Sequence, residues 1–80
     1  MIIGVKILPR NEVLDSQGRA VEGTLKHNGH NLEACRVGRY VQLNIAEKDK
    51  DKAMERAKQM TEFVLYNPLI ESFELEVVSE

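Results

Sequence analysis

Apolar side chains recur at every second position in three places along the chain: Ile3, Val5 and Ile7; Val41, Leu43 and Ile45; and Phe73, Leu75 and Val77. A period of two puts successive side chains on opposite faces of a strand, so each stretch is predicted to be a half-buried strand. The first runs over about residues 2–8, and Pro9 closes it because proline has no N–H for a ladder. Leu32–Val37 reads as a further strand joined to Tyr40–Ile45 in a hairpin, with Gly38 at the turn or in a bulge.

Two stretches carry a helical period instead. Asp15 or Ser16 can cap a helix whose inward face holds Gly18, Val21 and Leu25, with Glu22 and Lys26 paired four residues apart outside. Gly29 suits its end, where a left-handed residue costs least. Gly18 and Gly23 each cost a helix about 1 kcal/mol relative to alanine, so close approach to another backbone is the expected compensation. The charged run Glu47–Lys52 marks the entrance of a second helix, with Ala53, Ala57, Met60 and Val64 at i, i+4, i+7 and i+11 and Met54, Thr61 and Leu65 on the adjoining row. Pro68 ends it and pushes Asn67 away from helical dihedrals.

The predicted order is therefore β-α-β-β-α-β. It implies an α+β two-layer sandwich of ferredoxin-like character, a four-stranded antiparallel sheet with both helices on one face. The other face would carry Tyr40, Gln42, Asn44, Glu74 and Glu76. Unpaired edge strands point to a dimer whose sheets continue or pack together.

Length sharpens that expectation: 80 residues make one domain, residues 1–80, which buries only about 60–65% of the surface its unfolded chain exposes. The net charge of −2 comes from interspersed acidic and basic residues, which argues against a nucleic-acid or membrane partner. A single cysteine, no apolar run near ~18 residues and no signal-like N-terminus together suggest a cytoplasmic setting.

Reactive constellations are missing from the pattern. His27 and His30 straddle a predicted helix end without cysteine or carboxylate at a zinc spacing. Cys35 has no histidine placed to activate it, and Glu74 and Glu76 share a solvated strand face rather than an apolar pocket. No phosphate-binding glycine loop is present. No catalytic, cofactor-binding or metal-binding residue is expected. Arg36-Val37-Gly38-Arg39 stands apart, because two guanidinium groups around a glycine can grip carboxylates or phosphates bidentately, although pattern alone also fits a solvated turn.

Three segments together resemble the PurS family: Val13-Leu14-Asp15-Ser16-Gln17-Gly18-Arg19-Ala20-Val21, Arg36-Val37-Gly38-Arg39-Tyr40-Val41-Gln42-Leu43 and Asn67-Pro68-Leu69-Ile70-Glu71-Ser72-Phe73-Glu74-Leu75. The likeness runs through nearly the whole chain, with Ser16 standing where the family often has proline. The resemblance implies the small, non-catalytic subunit of phosphoribosylformylglycinamidine (FGAM) synthase in purine biosynthesis. It implies association with a PurQ glutaminase and a PurL synthetase, assisting ammonia transfer between them, and a homodimer or dimer of dimers. The chain itself would bind no cofactor, while the complex uses ATP, magnesium and glutamine. Asp15, Gly18, Arg36, Gly38, Arg39, Tyr40, Asn67 and Pro68 are the partner-interface residues this reading favours. The rival class is a dimeric regulatory domain that senses a small metabolite at its interface. An RNA-binding sheet fits less well, because Tyr40 is the only aromatic on the outer face and the chain is acidic.

Overall fold

The computed structural model describes residues 1–79 and has the element order β-α-β-α-β. Strand β1 (Ile2–Pro9) is the centre of a three-stranded antiparallel sheet, with β2 (Arg39–Asn44) on one side and β3 (Glu71–Ser79) on the other. Val5 lies opposite Val41 and Leu75, while Ile3 lies opposite Leu43 and Val77. The three alternating stretches thus turn the same face inward, and Ile3, Val5 and Ile7 are all but fully buried.

The fourth strand is absent. Ile7 pairs with Arg39 and β1 ends at Pro9, so the chain N-terminal to Gly38 has run past the end of the sheet. Leu32–Val37 finds no ladder there and forms no strand. Side chains anchor it instead: Asp15 Oδ2 accepts the Val37 N–H at 2.9 Å, and the Arg36 guanidinium donates to the Pro9 carbonyl. Gly38 therefore makes neither a hairpin turn nor a bulge. It leads the chain straight into β2 where a Cβ would lie 2.1 Å from the Ile7 carbonyl oxygen.

Helix α2 (Lys50–Met60) begins at Asp49, whose carboxylate accepts the Lys52 N–H at 3.1 Å. Ala53 and Ala57 pack against Ile3 and Ile45 to form the main core cluster. Small residues let the helix lie close to the sheet. The predicted stripe through Met60 and Val64 stops there, because the helix ends in a single π-helical turn, Thr61–Leu65. Thr61 continues the buried row instead, its hydroxyl donating to the Ala57 carbonyl at 2.8 Å, while Phe63 and Val64 face solvent. Tyr66 then meets Phe73 edge to face at 4.7 Å, tying the helix exit to β3.

Helix α1 (Ser16–His27) has the predicted Asp15 cap, the Glu22–Lys26 pair at 3.1 Å, and Gly29 just beyond it at a φ of 87°. Its apolar stripe is not buried with that of α2. Gly18 is its one buried residue, and Val21 stays 42% exposed. The resulting shape is long and flat, 47 × 26 × 14 Å, with a radius of gyration of 15.6 Å against about 11.6 Å for a compact chain of this length.

Candidate functional site

The residues singled out from sequence gather at one end of the sheet, where β1 ends and β2 and β3 begin. Asp15 is the first strut. Its Oδ1 accepts the Gly18 N–H at 2.9 Å as an N-cap, and its Oδ2 holds Val37. These two N–H groups, helped by the nearby Arg36 charge, keep the Asp15 carboxyl below its ordinary pKa. Gly18 is required there because a Cβ would lie 2.2 Å from the Asp15 carboxylate and 2.6 Å from the Cys35 carbonyl oxygen.

Arg39 and Asn67 make the second strut. Arg39 Nη2 donates to both oxygens of Glu71, at 2.7 and 2.8 Å, across the ends of β2 and β3. The Asn67 N–H also donates to Glu71 at 2.8 Å, and this bond, more than the Arg39 charge, lowers the Glu71 pKa. Asn67 Oδ1 accepts from Leu69 N at 3.0 Å, closing the turn that contains Pro68. Arg10 seals that turn to β1, its backbone N–H reaching the Ile70 carbonyl at 2.8 Å and its Nε the Pro68 carbonyl at 3.0 Å.

Tyr40 sits one residue further along, on the outer face of the sheet. Its hydroxyl donates to Glu76 at 3.1 Å, and its ring occupies the space that a Cβ on Gly4 would need. Lys6 completes this cross-strand group through Glu76 at 3.1 Å. Of the eight sequence candidates, seven therefore share one corner and Tyr40 lies beside it.

Two clefts open on the corner, of about 330 and 320 Å3, and Leu14 lines both. The first is also lined by Arg10, Arg19 and Arg36, the second by Arg39 and Ile70. Arg10, Leu14 and Arg19 are not among the sequence candidates: Leu14 and Arg19 flank Asp15 and Gly18 in the first motif, but no local pattern distinguishes them from ordinary surface or core positions. Among the described residues no three His, Cys, Asp or Glu side chains come together as a metal site, and His27 and His30 are exposed. What the corner offers is a rigid hydrogen-bonded frame with guanidinium groups at its surface.

The profile of the PurS family of FGAM synthase matches residues 2–79. The chain belongs to the PurS family. It is 34% identical over 76 residues to the PurS subunit of Bacillus subtilis FGAM synthase, a match covering 94% of this chain and 89% of that one. The structure of Thermus thermophilus PurS superposes with a TM-score of 0.82 at 33% identity, covering 98% of this chain and 96% of that one. A chain of PurLQS from Thermotoga maritima superposes with a TM-score of 0.86 at 28% identity, covering 94% and 93%. Within a PurS-family chain, the aspartate, glycine and arginine positions of the three motifs thus acquire a physical meaning: they build the corner.

Proposed function

We propose that this chain is the non-catalytic subunit of an FGAM synthase that holds a PurQ-type glutaminase against a PurL-type synthetase, so that ammonia passes from one to the other. The likeness to a chain of the Thermotoga maritima PurLQS structure carries this reading. The site chemistry supports it, since Asp15 and Glu71, the two carboxylates of the corner frame, are both engaged by N–H groups. ATP, magnesium and glutamine would be used by the companion subunits. The setting would be cytoplasmic; no described helix is long and apolar enough to cross a membrane.

Self-association belongs to the same proposal. A compact 9.1-kDa monomer exposes about 4,900 Å2, whereas this chain exposes 5967 Å2. The surplus of roughly 1,100 Å2 exceeds the ~800 Å2 that each partner gives to a standard interface. A second copy seated on the Val21–Leu25 stripe of α1 accounts for it and gives a homodimer, with further pairing at the sheet edges able to make a dimer of dimers. Asp15, Gly18, Arg36, Gly38, Arg39, Tyr40, Asn67 and Pro68 would then shape the surface offered to the companions.

Co-purification tests the assembly. The tagged chain should retain a PurL-type and a PurQ-type protein in the presence of ADP and glutamine. Retention of neither would defeat the proposal.

A further inference from the structure

Four of the five arginines, Arg10, Arg19, Arg36 and Arg39, line the two corner clefts, while the six lysines line neither. The first cleft thus carries three guanidinium groups against two carboxylates, Asp15 and Glu22, in a chain of net charge −2. The acidic side chains lining these clefts are already committed: Asp15 to the Gly18 and Val37 N–H groups, Glu22 to Lys26, and Glu71 to Arg39 and Asn67. Arg39 is committed to Glu71, but the other three arginines retain free N–H groups. Arg19 has no hydrogen-bond or ion-pair partner among the described residues, Arg10 spends Nε alone, and Arg36 spends one nitrogen on Pro9. Glu12, at the rim beside Arg10 and Arg36, is the one nearby carboxylate without a partner among the described residues.

Leu14 adds the apolar half of the surface. It stands 66% exposed as the rib between the clefts. Arginine is suited to planar, bidentate capture of carboxylates, and an exposed apolar anchor ringed by such groups is the composition of a protein-docking centre. On α1, Arg19 lies about 160° from Val21 and about 120° from Leu25 at roughly 100° per residue, so Arg19 stays open when the Val21–Leu25 stripe is covered. We propose that the cleft formed by Arg10, Arg19, Arg36 and Leu14 receives an extended acidic segment, bearing an apolar residue, from one of the companion subunits. This rests on the assembly proposed above and names the chemistry by which it is held.

The test is the affinity of the chain for its PurL-type and PurQ-type companions, read at low and high salt. Arg19→Glu and Arg10→Glu should each weaken binding about tenfold at low salt and flatten its salt dependence. Leu14→Ser should weaken it at both salts, and Arg56→Glu, on the exposed side of α2, should leave it unchanged. A lysine placed for one acidic residue of the companion segment should restore binding to Arg19→Glu. If the parent chain assembles while Arg10→Glu and Arg19→Glu bind as it does, the acidic-segment inference falls and the assembly reading stands. Displacement by inorganic phosphate at matched ionic strength would replace the peptide site with an anion site. Failure of the parent chain to assemble removes both.

Discussion

Asp15 and Val37 are 22 residues apart, yet the Asp15 carboxylate accepts the Val37 N–H at 2.9 Å while capping α1 through Gly18. One side chain thus fixes where α1 starts and where the chain enters β2. Asp15→Asn keeps the size but leaves a single acceptor oxygen for two N–H groups. Faster amide hydrogen exchange at Gly18 or Val37, with the sheet amides unchanged, is the expected result.

The same group sets an acid dependence. Asp15, Glu71 and Glu76 have lowered pKa values: Asp15 chiefly through Gly18, Glu71 chiefly through Asn67, and Glu76 chiefly through Lys6. A carboxylate with a lowered folded pKa contributes stability that is complete above its unfolded value and disappears as pH falls through the folded one. Lys6 is raised by Glu76, so its share is present at neutral pH and is lost only as pH rises through the raised value. Urea midpoints should therefore fall on acidification below about pH 4, and less steeply in Asp15→Asn than in the parent chain.

Glycine positions separate close approach from mere tolerance. Alanine at Gly38 would drive a methyl group into the Ile7 carbonyl, which belongs to the central strand and cannot step aside. Gly38→Ala should cost roughly 1–3 kcal/mol in urea unfolding. Gly4→Ala should cost less, because the obstacle is the movable Tyr40 ring. Gly23→Ala meets nothing within 4 Å on an exposed helix and should stabilise by about 0.5–1 kcal/mol.

The sheet and its covering helix carry the stability. Ile3 is fully buried against Ala53, Ala57 and Ile45, so Ile3→Ala should cost about 2–5 kcal/mol. Phe63 is larger but 88% exposed, and Phe63→Ser should change the unfolding free energy by no more than about 0.5 kcal/mol.

Strands β1, β2 and β3 could be read from the sequence because their alternation is a local pattern that the sheet uses directly. The same holds for the Asp15 cap, Gly29 and the Glu22–Lys26 pair. Leu32–Val37 reads locally as a strand, but its anchors lie at Asp15 and Pro9, and no short window reveals that the sheet ends before reaching it. A regular helical count places Met60 and Val64 inward. The π-helical turn adds a residue to the repeat, and the Thr61 hydroxyl satisfies itself on Ala57, which lets a polar residue take the core position. At the corner, the paired motif residues stand out while Arg10, Leu14 and Arg19 do not, since only the tertiary fold brings single residues from the loop after β1 and from α1 onto one surface with Arg36.

Turnover of the reconstituted three-protein synthase, with either glutamine or a high concentration of ammonia as nitrogen source, tests the coupling role most directly. Omitting this chain should abolish glutamine-dependent FGAM formation while leaving most of the ammonia-dependent rate. Equal loss with both nitrogen sources would show that it serves the synthetase alone, and undiminished glutamine-dependent turnover would show that it couples nothing.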